Sequence, residues 1–400
     1  MSRVWIFGAL VVGTVATAAG CGDVEDGPIE QRVSALAGVG GGGPGGGAGQ
    51  DLPAVRGFTD PNVGHTAVFR LVDTDQLQRA NGTPFGNAFG VGSGLLERSN
   101  PWGYKRHDGV AAILYVDIFK HVHEVTSAGG NVDLSNTHGI NAPNAKSAPQ
   151  GPAPAPDVIG YVRSDNRSAM VYIGDNSHVI ELKSNFGSQP PWLVTDLTLA
   201  SGASVTTFTG SAFPYVRSDG WNTIVYFASD QHIHELASFD GVAWIDGDLS
   251  VAAGDLIFPL TDPWAYQRSD GYNTVLFVDG NNRLHELAYH PGGSWGSGIL
   301  PASSPKNGLF QRPSGYVRAD GVNAIVYTST DNSVHELWLS GTGWIDGSYP
   351  LPGITPRGPL FGHLAPGNRS SVLFEGTNAG VHQRYELSLP VGGQWSLQAF

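Results

Sequence analysis

An arginine and a glutamate eighteen residues apart recur along this chain: Arg106 with Glu124, Arg163 with Glu181, Arg217 with Glu235, Arg268 with Glu286 and Arg318 with Glu336. The glutamates advance by 57, 54, 51 and 50 residues, and one more step of 50 reaches Glu386. The stretch from Pro214 to Ser238 is the clearest copy. A fixed period of this length means one supersecondary unit, copied and either stacked or set radially, because a single copy cannot bury its apolar faces.

Each copy reads as four short strands. In the fourth copy Tyr215 to Ser218 is the first, and a Ser-Asp-Gly turn follows, with Gly220 supplying positive φ. Asn222 to Ala228 is the second, Ile233 to Ser238 the third, and a fourth strand carries a tryptophan. The tryptophans are Trp192, Trp244, Trp295, Trp344 and Trp395, spaced 52, 51, 49 and 51 residues apart. The second copy lacks that tryptophan and carries a Pro/Ala/Gly-rich insert from Asn131 to Asp157, expected as a surface loop. The first copy, about residues 53 to 99, is degenerate, with Asp60 in the arginine position and Gln78 or Arg79 in the glutamate position. The seventh, about 362 to 400, has Ala365 in the arginine position.

Seven copies of a four-stranded antiparallel unit are the signature of an all-β, seven-bladed β-propeller over residues 53 to 400. The 56 glycines, 26 prolines and clustered Val, Ile, Tyr, Phe and Trp suit many strands and turns, and no helical period is visible. Whether the segment Leu52 to Phe58 completes the last blade is left open by the sequence.

The chain begins with features of export. Arg3 precedes the apolar run Val4 to Ala19, and Ala18-Ala19-Gly20-Cys21 resembles a bacterial lipobox, in which the cysteine is lipidated. Residues 1–21 are therefore expected to be a lipoprotein-type signal peptide and 22–52 a flexible Gly-rich linker, anchoring the domain to the cell envelope through lipid on Cys21. The alternative is an ordinary secretory signal with Cys21 incidental and the protein secreted. A net charge of −13 excludes a nucleic-acid partner, which needs a basic footprint.

The recurring polar residues admit two readings. Arg and Glu at constant spacing can fix the registry of blades. They can also bind a sugar, for which Arg donates a planar fork, Glu accepts from hydroxyls and an aromatic ring stacks on the apolar face. Candidate carbohydrate-binding residues are Arg106, Glu124, Arg163, Glu181, Trp192, Arg217, Trp221, Glu235, Trp244, Arg268, Tyr272, Glu286, Trp295, Arg318, Glu336 and Trp344, with Trp192 or Trp244 expected to serve Arg217 and Glu235. His123, His234, His285 and His335 precede the glutamates, but one histidine per copy without a close second ligand gives no metal site, and no cofactor is expected.

The pattern Tyr-x-Arg-x-Asp-Gly-x-Asn-x-Ile-Val-Tyr, then Asp-x-x-Ile-His-Glu-Leu and a Trp strand, resembles the PLL-like seven-bladed propeller lectins first described from Photorhabdus. More remotely it is similar to the fungal fucose-specific lectins of the Aleuria type. The resemblance implies shallow, non-catalytic sites between neighbouring blades for fucose and related or O-methylated sugars, hence glycan partners. Departures stand beside it. Thr223, twelve residues before Glu235, replaces an arginine of the fungal proteins, and Ile180, Phe119 and Asn176 break the motif in copies two and three. Carboxylates in equivalent positions predict several similar sites rather than one catalytic pair, so no enzyme is expected; a glycan-processing enzyme and an envelope interaction scaffold remain the alternatives. Homo-oligomerisation is left open.

Overall fold

The structure, a computed structural model, describes the strands within residues 56–79 and, with short gaps, residues 101–399. The expected signal peptide, Cys21 and the linker lie outside the described residues. Copies two to seven each form a four-stranded antiparallel meander in sequence order. In copy four the strands are Phe213–Val216, Asn222–Phe227, Ile233–Ser238 and Ile245–Asp248. The chain is thus an all-β propeller of four-stranded blades.

The expectation of seven four-stranded blades is corrected to six. Among the described residues, copy one forms a three-stranded sheet, Arg56–Asp60, Gly64–Leu71 and Gln76–Arg79. This is the copy whose sequence lacks both members of the Arg and Glu pair, so the residues that organise the other blades are missing from it. Its first strand pairs within its own sheet, not with the last blade, and lies against the first strands of copies two and seven. The insert of copy two is likewise not all loop, because Asn131–Asp133 pairs as a short fourth strand.

Burial follows position within the blade. The second strands of copies two to six are buried at every residue, because a neighbouring blade packs on each face. This is why they read as unbroken apolar runs rather than as alternation. Fourth strands such as Gly296–Ile299 and Ser396–Ala399 are wholly exposed. First strands of successive blades touch one another, and their aromatic residues meet at the centre. Trp102 of copy two lies 5.9 Å from Phe213, 6.3 Å from Trp264 and 5.7 Å from Phe361, although these come from copies four, five and seven. Beside this aromatic plug, Arg312 reaches the buried carboxylate of Asp157 at 2.7 Å and lies over the Trp264 ring.

Two devices join blade to blade. The backbone N–H after each arginine donates to the side chain that opens the next blade's second strand: Ser164 to Asn222 (2.8 Å), Ser218 to Asn273 (2.8 Å) and Ser269 to Asn323 (2.7 Å). Ser168 and Ser370 accept the same bond from His107 and Ala319. Nearer the axis, the rings of Tyr104, Tyr266 and Tyr316 press on a glycine of the next blade. A Cβ on Gly315 would stand 2.3 Å from Tyr266, and one on Gly160 would stand 2.5 Å from Tyr104. Gly315→Ala must therefore wedge two blades apart. The expected loss is about 1–3 kcal/mol, the usual cost of overpacking. Urea unfolding checks it, with Gly321→Ala as a control that meets open space but carries the strain of φ +82.

Candidate functional site

The motif arginine lies just past the end of the first strand, inside the turn. Arg217 N–H donates to Trp221 O at 2.9 Å, and Gly220 N–H donates to Arg217 O at 2.9 Å. Gly220 holds φ 84 and its counterparts Gly109, Gly271 and Gly321 hold similar values, which explains the Asp-Gly pair at these turns. Copy three uses Asn166 there, at φ 58. The turn aspartate also binds its own arginine, as Asp219 does Arg217 at 2.5 Å.

All five expected Arg and Glu pairs form. Their N–O distances are 3.2 Å for Arg106 and Glu124, 2.8 Å for Arg163 and Glu181, 3.4 Å for Arg217 and Glu235, 3.1 Å for Arg268 and Glu286, and 3.4 Å for Arg318 and Glu336. A sixth pair was not anticipated: Arg369, four residues beyond Ala365, meets Glu386 at 3.3 Å. Arg369 directly follows the seventh turn, and that placement was its only signal in the sequence. The tyrosine two residues before the arginine completes the group. Tyr104, Tyr161 and Tyr316 donate to their glutamates at 2.8, 2.8 and 2.9 Å.

The aromatic partner comes from the following blade, not from the same one. Trp244 lies 5.9 Å from the Arg163 guanidinium, and Trp344 lies 5.5 Å from that of Arg268. Arg217 instead lies 4.4 Å over the ring of Tyr289, on which Trp295 stacks at 5.5 Å. The expected grouping of Trp192 or Trp244 with Arg217 and Glu235 is therefore corrected: Trp192 is buried in the hydrophobic core, and Trp244 serves the preceding copy. At the rim, Trp221 lies 5.8 Å and Tyr272 5.0 Å from the arginine of its own turn. Arg163, Arg217 and Arg268 thus each lie between their own blade and the next.

The grooves differ. After copy three, Arg163 is wholly buried and the loop at Gly241 covers it; a Cβ on Gly241 would stand 1.4 Å from its Nη2. Lys183 Nζ fastens that loop by donating to Gly241 O at 2.8 Å. After copy four, the Tyr215 hydroxyl and Glu235 Oε1 have no hydrogen-bond partner. After copy five, the Tyr266 hydroxyl has none. Burial raises the carboxyls of Glu124, Glu286 and Glu336 despite their arginines, and pushes Glu235 up to about 7. Burial also raises the Tyr215 and Tyr266 hydroxyls well above the usual range, with the neighbouring glutamate adding to the effect.

The expectation of a single histidine per blade without a second ligand is also corrected. In copy four, Asp230, His232, His234 and Asp248 bring their ligand atoms within 4.8 Å of one another, and Asp117, His121 and His123 do so in copy two. Only Asp248, on the fourth strand, is remote in sequence; the other donors lie within seven residues of one another.

No model of a protein family matches the chain, and no curated protein matches it. Among solved structures, the BP39L lectin from Burkholderia pseudomallei is similar at TM-score 0.62 and 13% identity, over 88% of this chain and 99% of that one. The six-bladed β-propeller lectin of Aleuria aurantia is similar at TM-score 0.47 and 13% identity, covering 77% and 96%. The likeness to the Burkholderia protein is one of fold.

Glu235 makes stability depend on pH. Its carboxyl titrates near 7 when folded and near an ordinary 4.5 when unfolded. Below the lower value both states hold the proton and burial costs nothing. As pH rises from 4.5 to 7 the unfolded chain ionises first, so stability falls, by at most roughly 3 kcal/mol above the higher value. Glu235→Gln removes that dependence. From pH 5 to pH 8 the variant should gain on wild type by up to that amount in denaturant titrations; a pH-independent difference would contradict the assignment.

Proposed function

We propose that the protein is a multivalent, non-catalytic carbohydrate-binding protein that takes sugars in the grooves between neighbouring blades. The observation that carries this reading is the groove after copy four. There the Arg217 fork lies beside the Tyr289 ring, and Glu235 Oε1 and the Tyr215 hydroxyl, both buried, have no hydrogen-bond partner in the chain. A sugar hydroxyl donates to one of these and accepts from the other, and a pyranose face suits the ring. The propeller fold shared with a lectin supports the reading. The finer assignment, to fucose or a related O-methylated sugar, rests on the sequence motif.

The same geometry separates binding pairs from structural ones. Arg163 and Glu181, sealed under the Gly241 loop, fix registry, whereas the grooves after copies four and five are the leading sites. An axial active site is disfavoured, because the aromatic rings of the first strands fill the centre. Calorimetric titration with methyl-fucoside tests the scheme. Wild type should bind with dissociation constants of about micromolar to millimolar per site, as befits a small ligand in a shallow groove. Glu235→Ala should lower the stoichiometry by about one site. Glu181→Ala should leave stoichiometry intact but cost about 3–5 kcal/mol in stability, because it strands a buried guanidinium. No binding heat from any simple sugar would overturn the lectin reading in favour of an interaction scaffold.

We also propose that the domain is displayed on the cell envelope by lipid on Cys21, the only cysteine, with residues 22–52 as the tether. Multiple weak sites on one tethered ring gain avidity on a glycan-bearing surface. Cys21→Ala should move the protein out of the membrane fraction; unchanged fractionation would refute the anchor.

A further inference from the structure

We propose that the blade of copy four carries a binding site for a divalent transition cation of the zinc class, built from Asp230, His232, His234 and Asp248. The cluster sits at the turn between the second and third strands. Strand Asn222–Phe227 separates it from the Arg217 turn by roughly 20 Å. It is thus independent of the sugar grooves.

The argument rests on how each side chain is held. Asp230 uses Oδ1 to accept from His232 N–H at 3.1 Å, and turns Oδ2 toward His234 Nε2 at 2.9 Å. Asp248 uses Oδ1 to accept from Val251 N–H at 2.9 Å, capping the helical turn Leu249–Ala253, and turns Oδ2 to His232 at 2.7 Å. Each carboxylate thus spends one oxygen on the backbone and presents the other to the cluster. Asp246 stands behind His234, 3.1 Å from Nδ1, and accepts from the Tyr226 hydroxyl at 3.1 Å. A carboxylate holding the far nitrogen of an imidazole is the usual support of a metal-bound histidine. Two neutral imidazoles and two carboxylates give a charge of −2, and mixed nitrogen and oxygen donors favour zinc, cobalt or nickel over calcium or magnesium. Asp230, His232 and Asp248 keep 41, 27 and 26% of their side-chain surface, so an ion can enter.

The other copies vary the theme. Copy two repeats three donors, with Asp117 Oδ1 taken by Phe119 and His121 N–H groups and Oδ2 facing His123 Nε2 at 3.0 Å. Copy five has Arg283 where copy four has His232, and its guanidinium lies 2.6 Å from Asp279 Oδ2, which also faces His285 Nε2 at 3.1 Å. There the chain supplies its own fixed cation. Copies three and six lack one histidine each, at Ile180 and Ser333.

The test uses the full chain stripped with a chelator and titrated with Co²⁺, followed by its visible d–d absorption, and with Zn²⁺ by calorimetry. One site should bind tightly, with a weaker second from copy two. His232→Arg puts in copy four the residue type that copy five carries at this position, and melting checks that the fold is kept. The variant should weaken the tight site at least about 100-fold, beyond the usual cost of losing a mere supporting group. His234→Gln should do the same, whereas Arg283→His should add a site in copy five. Methyl-fucoside binding should be unchanged in His232→Arg. Failure of wild type to bind Zn²⁺ or Co²⁺, or undiminished binding in His232→Arg and His234→Gln, would overturn the proposal.

Discussion

A four-stranded antiparallel sheet with apolar residues on both faces has nowhere to hide them except against two copies of itself. That requirement governs this molecule. The buried second strands, the tyrosines pressed on glycines and the aromatic residues gathered at the centre all follow from it. The polar registry is layered on top. A backbone N–H beside each arginine has lost its strand partner at the turn, and an asparagine or serine of the next blade satisfies it. An unsatisfied donor at that depth costs as much as a lost hydrogen bond, so the contact both repairs the turn and fixes the neighbour's position.

The Arg and Glu pair serves two purposes in different degrees around the ring. In copy three it is closed over by a loop and works as cement. In copy four the same residues stand beside the buried Tyr215 hydroxyl and Glu235 Oε1, and in copy five beside the buried Tyr266 hydroxyl, none with a partner in the chain. A repeat thereby lets one set of residues hold blades together where a loop covers them; the sugar sites proposed above use the same residues where none does. The raised carboxyl of Glu235 expresses the same condition, a buried acid only partly compensated by its arginine.

Much of this was legible in the sequence, and the reasons are physical. Period, turn glycines and apolar second strands all reflect local backbone demands, so the blades could be read directly. The first strand was read two residues late, whereas the third was read as found: Arg217 belongs to a turn because Gly220 folds its N–H back to Arg217 O. What stayed hidden involves contacts between strands or between copies. Arg163, Arg217 and Arg268 each meet an aromatic ring of the next blade, so Trp244 could not be assigned to Arg163 by proximity in sequence. Asp248 reaches His232 only through pairing of the third and fourth strands. Arg369 replaces the arginine missing at Ala365 from across a turn, a substitution spacing alone does not reveal.

The central claim is that the groove between copies four and five is a sugar site. A crystal structure of the protein soaked with methyl-α-L-fucoside tests it most directly. The account predicts a pyranose against Tyr289, with a hydroxyl within hydrogen-bond distance of Glu235 Oε1 or the Tyr215 hydroxyl. Sugar bound only elsewhere on the propeller, with this groove closed on itself, would contradict it.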